Sequence, residues 1–346
     1  MKYKMRDVAE AAGVSIATVS NVLNNKTPVA EKTRALVLQT AERMGYKIDN
    51  AARTLKTGRS NTIGFIIPDI SSIFFSILTK QVEEILEQSG YSLIVSNSLE
   101  KLDRQIKHLQ SFSSGMVDAV IIASCEHDFS KFRQFMPSNI PALFVDRPVS
   151  APEYSEISVN FRDPIYKATE DLLSHGHRKF GLIVGLKDWG VSDYRINAIK
   201  DCLRNYNIPL NEKNILYISD INIGAGPCAL ELYRRNCDVI FCPNSNCTRE
   251  ALDSLLEYGA VINRDVTLLA VNDDPRDRTQ YSNMFPTVVQ PSYEIGTQIA
   301  HCILELIKNP ASRPFTMRLA AEYRPVPKQI YYMKKWPASE EKRPES

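Results

Sequence analysis

From Thr62 to about Arg324, short β-branched runs alternate with amphipathic segments, and this alternation constrains the fold more than any other feature. Ile63–Ile67, Ser92–Val95, Asp118–Ala123, Ala142–Val145, Lys179–Val184, Val239–Cys242 and Val266–Val271 read as strands, and Ile73–Gln88 as a helix between the first two. Nearly continuous apolar strands separated by helical stretches imply parallel sheets covered on both faces. Roughly 260 residues is large for one doubly wound sheet, so the pattern predicts two α/β lobes. In such folds ligands sit at the carboxyl ends of the strands.

The segment ahead of this body has a different period. Asp7–Ala12 reads as a helix stopped by Gly13, and Ser15 caps a second helix from Ile16 to about Leu23. Val8, Ala9, Ala12, Val19 and Leu23 recur at helical spacing and form a small core. A third helix, about Glu31 to Met44, buries Leu36, Val37, Thr40, Ala41 and Met44 and stops at Gly45. Two short helices joined by a turn containing Gly make a helix-turn-helix pattern. Residues 1–60 carry 11 Lys/Arg against 5 Asp/Glu, while the rest of the chain carries 31 against 35. A basic head on a mildly acidic body points to nucleic acid at the head.

Several other classes are disfavoured. The 346 residues are 44% apolar and 24% charged, an ordinary globular composition. No apolar run approaches the roughly 20 residues of a membrane helix, and no apolar stretch follows the first lysines, so a cytoplasmic chain is expected. Seven cysteines without CxxC spacing read as reduced, small apolar side chains. Among them Cys237 and Cys242 bracket a strand and are expected on opposite faces, too far apart for one zinc, while Cys247 completes the four-residue gap. Gly224-Ala-Gly226 fits a loose dinucleotide fingerprint, but Pro227 suits the first turn of a helix. Asp69, Asp146, Asp273 and Asp274 fall at strand ends without a histidine, Walker sequence or nucleophile elbow beside them. His175 and His177, at a helix end, suit capping or packing. No catalytic residue, cofactor or metal site is expected.

The head Asp7-Val-Ala-Glu-Ala-Ala-Gly13-Val-Ser-Ile-Ala-Thr-Val-Ser-Asn21-Val-Leu-Asn24 resembles the DNA-binding head of the lac repressor (LacI/GalR) family. The resemblance runs on to about Arg324 through Ile63-Gly64, Pro68-Asp69-Ile70, Val145-Asp146-Arg147, Gly176-His177-Arg178, Asn244, Pro286-Thr287-Val288 and Gln290-Pro291. It implies a helix-turn-helix head over 1–48, a hinge helix and linker over 49–60, and a two-lobed effector-binding and dimerisation body over 61–327. That body would resemble a periplasmic sugar-binding protein. Residues 328–346, rich in Lys, Glu and Pro, read as a disordered tail.

By that resemblance the second helix lies in the major groove of operator DNA with Ile16, Ala17 and Asn21 facing bases. The first two can offer only apolar contacts, for example to a thymine methyl, and Asn21 could pair with adenine. Ser15, Thr18, Asn24 and Thr33 would contact phosphates and set the register. In the hinge, Ala52 and Leu55 take the minor-groove positions, Leu55 as a wedge between base pairs, with Arg53 and Lys56 on phosphates. Ile48-Asp49 replaces the family's usual Pro-Asn ahead of this helix.

Family effector positions fall on Asp69, Phe74, Phe75, Asp146, Arg147, Trp189, Arg195, Asn244, Asn272 and Gln290. Aromatic rings against sugar CH faces, with Asp, Asn, Arg and Gln on hydroxyls, suit a polyol. Ser245 and Asn272 stand where many sugar-binding relatives keep an acid, which with Arg195 and Arg147 favours a sugar acid or sugar phosphate. A neutral sugar or nucleobase is the alternative effector. The expected protein is a dimeric repressor on a pseudo-palindromic operator, and the competing reading is a solute-binding module without DNA function.

Overall fold

A computed structural model describes residues 3–24, 29–46, 58–185, 190–218, 224–273 and 284–326. The chain separates into two compact units, residues 1–60 and residues 61–346.

Among its described residues the first unit holds three helices, α1 (Met5–Ala12), α2 (Ile16–Asn24) and α3 (Glu31–Arg43). Gly13, at φ 64°, ends α1 in the left-handed conformation that glycine adopts without strain. The Val14 amide reaches back to the Ala9 carbonyl at 3.0 Å, so the stop is hydrogen-bonded. Gly45 (φ 63°) and the Tyr46 amide, 2.9 Å from the Ala41 carbonyl, repeat the device after α3. Ser15 caps α2 as its position predicts, its Oγ accepting from the Thr18 amide at 3.1 Å.

The core of this unit is Val8, Ala9, Ala12, Val19, Val22, Val37 and Ala41. Three expected members differ. Leu23 and Met44 are only partly buried, and Val22 takes the inner position on α2. Leu36 is 46% exposed, because the stripe that faces inward on α3 is Val37, Thr40 and Ala41, and Leu36 stands about 100° away.

Among its described residues the second unit contains two six-stranded sheets. The first begins with β1 (Thr62–Ile67), α4 (Ile73–Gln88), β2 (Ser92–Asn97), α5 (Leu102–Ser111), β3 (Ala119–Ile122), β4 (Ala142–Asp146) and β5 (Ser155–Asn160). The chain then enters the second through α6 (Arg162–Ser174), β6 (Phe180–Val184), α7 (Gly190–Asn205), β7 (Ile215–Tyr217), α8 (Ala225–Arg234), β8 (Val239–Cys242), α9 (Ser245–Glu257), β9 (Thr267–Asn272) and β10 (Thr287–Val289). Helix α10 (Ser292–Lys308) returns to the first lobe and packs on α4; β11 (Thr316–Ala320) joins the first sheet, and β12 (Glu322–Arg324) the second. The strand orders are β11-β5-β4-β3-β1-β2 and β12-β10-β9-β8-β6-β7, all pairs parallel except β10 with β12.

The apolar strand runs follow from burial on both faces. Ile63, Phe65 and Ile67 of β1 meet α4 and α10, while Ile66 turns to the cluster around Leu109 and Phe112. In the second lobe Val239 and Phe241 pack toward α6 and α7, and Ile240 and Cys242 toward α8 and α9. Pro227 lies in the first turn of α8, so the Gly224–Gly226 segment is a helix start. A Cβ on Gly226 would collide with the Ser254 hydroxyl on α9, so this glycine serves close helix packing.

Cys237 and Cys242 lie in the same apolar cluster rather than on opposite faces, because β8 begins only at Val239. Burial pushes the Cys247 thiol up to about 12, far from the thiolate that zinc requires. Among the described residues no helix is long and apolar enough to cross a membrane.

Candidate ligand cleft and nucleic-acid interface

In the first unit the sequence-predicted contact residues lie on α2 and α3. Ser15, Ile16 and Ala17 are exposed at the start of α2; Thr18 and Asn21 follow on it, half-buried, and Thr33 sits in the first turn of α3. Ile16 is 49% exposed, so its apolar side chain is open to a contact from outside the unit. The Ser15 and Thr18 hydroxyls are 2.9 Å apart and engage each other as well as the helix end. The Asn24 side chain and residues 47–57, with Ala52, Arg53, Leu55 and Lys56, lie outside the described residues.

In the second unit a cavity of about 110 Å³ opens at the carboxyl ends of both sheets. The first lobe supplies Asp69 after β1, Phe74 and Phe75 from α4, Glu100 after β2, and Asp146 and Arg147 at the end of β4. The second supplies Arg195, Asn244, Asn246, Asp273 and Gln290. Each of these lies on or just after a strand, or in the first turns of the following helix, which is where a doubly wound sheet leaves its loops.

Phe74 and Phe75 serve two purposes. Both are buried in the first-lobe core, packed edge to face with centroids 5.1 Å apart, and both line the cavity. Asp69 is held by Ser71, whose amide and hydroxyl each donate to it at 2.9 Å. Asn244 caps α9, its Oδ1 accepting from the Cys247 amide at 2.9 Å. Asp273 accepts from the Ser245 amide at 3.1 Å and from Gln290 Nε2, and its carbonyl accepts from the Ser292 hydroxyl.

Arg195 stacks over the Phe161 ring at 4.0 Å and donates through Nη1 to the Pro243 carbonyl. Its buried Nε has no hydrogen-bond partner among the described residues, and neither does Gln290 Oε1. Both atoms belong to residues that line the cavity. Buried polar atoms are nearly always paired, so an unpaired donor and an unpaired acceptor here point to a ligand that completes them.

The charge in the cleft is tightly arranged. Arg147 donates to both oxygens of Glu100, at 2.8 and 2.7 Å, with its Nε 3.7 Å from Asp146. Burial raises the pKa of Asp146, against the opposing pull of Arg147 and Arg195. Burial likewise raises Glu100 and depresses Arg195. Burial also works to lower Arg147, but Glu100 overrides it and holds the guanidinium above its ordinary value.

Of the effector positions expected from sequence, eight line this cavity: Asp69, Phe74, Phe75, Asp146, Arg147, Arg195, Asn244 and Gln290. Trp189 lies outside the described residues. Asn272 does not face the cavity; its neighbour Asp273 does, and Asn272 Oδ1 instead accepts a long hydrogen bond from Ser245 Oγ. Successive residues leaving a strand point to opposite sides, so a one-residue offset moves the acid in and the amide out. The cleft thus has a carboxylate at this strand end, that of Asp273, one residue beyond the expected Asn272. Glu100 is not marked by the sequence pattern, since it carries no local motif and lies beyond the apolar run Ser92–Val95, whose strand extends to Asn97. Asp273 was visible as a strand-end carboxylate but not as a lining residue.

Residues 4–49 match the family described as bacterial regulatory proteins, lacI family, and residues 63–311 match the periplasmic binding protein domain. The chain is similar to the catabolite control protein A of Priestia megaterium, 27% identical over 86% of this chain and 90% of that protein. It is similar too to the ribose operon repressor of Bacillus subtilis, 28% identical over 88% and 91%. In fold it resembles the crystal structure of the lac repressor dimer bound to operator and the anti-inducer ONPF. The TM-score is 0.80 and the identity 21%, over 93% of this chain and 98% of that one.

Proposed function

The chain belongs to the lacI family of bacterial regulatory proteins with a periplasmic-binding-protein body, a DNA-binding transcriptional regulator and not an enzyme; from that premise we propose that it is a homodimeric repressor of a pseudo-palindromic operator, controlled by a small uncharged polyol of carbohydrate type. Residues 1–48 act as the reading head, 49–60 as the hinge, 61–327 as the effector-binding and dimerising body and 328–346 as a tail. Ile16, Ala17 and Asn21 read bases, while Ser15, Thr18, Asn24 and Thr33 hold phosphates. Ala52, Arg53, Leu55 and Lys56 belong to the hinge contact with the minor groove and backbone.

One observation carries the effector half of this reading: the unpaired, buried Arg195 Nε and Gln290 Oε1 belong to residues that line a cavity together with two phenylalanines and the carboxylates Asp69 and Asp146. A ligand hydroxyl both donates and accepts, so one polyol can satisfy the two atoms, while the aromatic rings cover its CH face. Four carboxylates against two guanidinium groups in the lining disfavour an added negative charge. The cavity is also small beside the roughly 300–1,000 Å³ of drug-sized pockets, which supports a single sugar ring over a nucleotide. Effector bound between the lobes would shift the body between a state in which two heads can engage their half-sites and one in which they cannot.

The test uses the full chain. A thermal-shift screen against neutral sugars, sugar acids and sugar phosphates should show stabilisation by a neutral member, about 2.7 kcal/mol at 100 times its Kd. A gel shift on DNA carrying the selected operator should weaken steeply with salt, as phosphate contacts require. Arg195→Ala should abolish the ligand response and leave DNA binding intact. A response that survives this change would remove the cleft assignment.

A further inference from the structure

Seven residues other than glycine have positive φ among the described residues, and four are asparagines, which tolerate that conformation. The other three are Leu99 (φ 50°), Glu100 (φ 56°) and Asp146 (φ 68°), and all lie around Arg147. Leu99 and Glu100 are the central pair of a turn closed by the Lys101 amide on the Ser98 carbonyl at 3.1 Å. Two consecutive left-handed residues define a type I′ turn, where Asn and Gly are the usual occupants. Asp146 is the centre of a three-residue turn, with the Arg147 amide 2.8 Å from the Val145 carbonyl, the rarer and more strained form when φ is positive.

Each such conformation is strained in a residue with a side chain, and persists where the surroundings require it. The result is one local arrangement: the Glu100 carboxylate lies flat against the Arg147 guanidinium, both nitrogens engaged, inside the cleft. A bidentate carboxylate is also the strongest form in which a sugar acid or a phosphate would meet an arginine.

We propose that Glu100 is a specificity-determining residue of the cleft: an internal carboxylate that occupies Arg147, denies it to anionic ligands and keeps the site selective for uncharged ones. This rests on the reading of the cavity as the effector site. A second anion reaching Arg147 would need either to displace Glu100 from a strained turn or to stand beside it, with Asp146 also within 3.7 Å of the same guanidinium. Removing the Glu100 charge should convert Arg147 from an internal ion-pair partner into an anion receptor.

The experiment compares the full-length chain with Glu100→Gln, Glu100→Ala and the double variant Glu100→Gln/Arg147→Gln, by calorimetric titration and thermal shift. The probes are inorganic phosphate, gluconate, glucose 6-phosphate and a panel of neutral monosaccharides. Both single variants should bind phosphate and at least one anionic sugar tenfold or more tighter than the unchanged chain, and the double variant should lose that gain. The proposal is overturned if folded single variants gain no anion affinity, if the double variant keeps the gain, or if the unchanged chain prefers an anionic sugar to its neutral counterpart. The phosphate arm reports on Arg147 whichever sugar is the effector. A phosphate gain with no sugar binding to any chain would sustain the charge assignment while the polyol reading fails.

Discussion

In the head the apolar side chains closed to solvent are valines and alanines, and large apolar groups such as Ile16, Leu36 and Leu38 stand outside. In the body the largest closed side chains are phenylalanines, among them Phe65, Phe132, Phe144, Phe180 and Phe241, and it is charged groups that are drawn inward, at the cleft. Each unit thus departs from the simplest sorting of residues, one by exposing apolar side chains and the other by burying charge. The head can do so only because caps and glycine stops define its helices without a large interior. The body can do so because four extended apolar clusters hold its two sheets whatever the cleft contains.

The sharpest way to break this comparison is to attack the small core. Val37 is fully closed to solvent, and Val37→Asp leaves a carboxylate there with no partner, at several kcal/mol. Operator binding in a gel shift should be lost, while the ligand-induced melting shift of the body persists. Retained operator binding would show that the head does not depend on this core.

A smaller effect is expected at the exposed apolar surface. Ile16→Ala should leave the melting temperature nearly unchanged, within about 0.5 kcal/mol, since the side chain is already half in water. Specific operator affinity should fall by ~1–3 kcal/mol, with non-specific binding unaffected. Equal losses on both DNAs would reassign Ile16 to general head stability.

The smallest effect belongs to the buried charge. Asp146 titrates above its ordinary value of 3.8 because burial favours the neutral acid. Its contribution to stability is thus complete below that ordinary value and is lost as pH rises through the folded-state value. Asp146→Asn keeps the group neutral, so its melting temperature should gain on the unchanged chain as pH rises above the ordinary carboxylate value. Asp238 behaves oppositely: despite burial, His177 and the amides of Arg178 and Lys179 hold it below its ordinary value. Its stabilisation is therefore present at neutral pH and lost on acidification. A variant advantage that shrinks with rising pH would show Asp146 to be charged by its arginine neighbours after all.

Where function and fold were legible in advance, the signal was local. The stops at Gly13 and Gly45, the Ser15 cap and the helix Ile73–Gln88 each depend on residues within a few positions of one another, and each appears as expected. The alternation of strands and helices likewise implies lobes with ligand-facing loops, because a parallel sheet must be covered and its carboxyl ends left open.

Tertiary structure alone decided which charges meet. Glu100 and Arg147 are 47 residues apart, on loops after different strands, and nothing in either segment's periodicity records the pairing. The same holds for the choice of Asp273 over Asn272 at the cavity, which turns on the twist and end of one strand. Local chemistry determines helices, turns and strands because its partners are neighbours in the chain. The identity of the cleft depends on loop ends brought together by sheet packing, and no window of sequence contains them all.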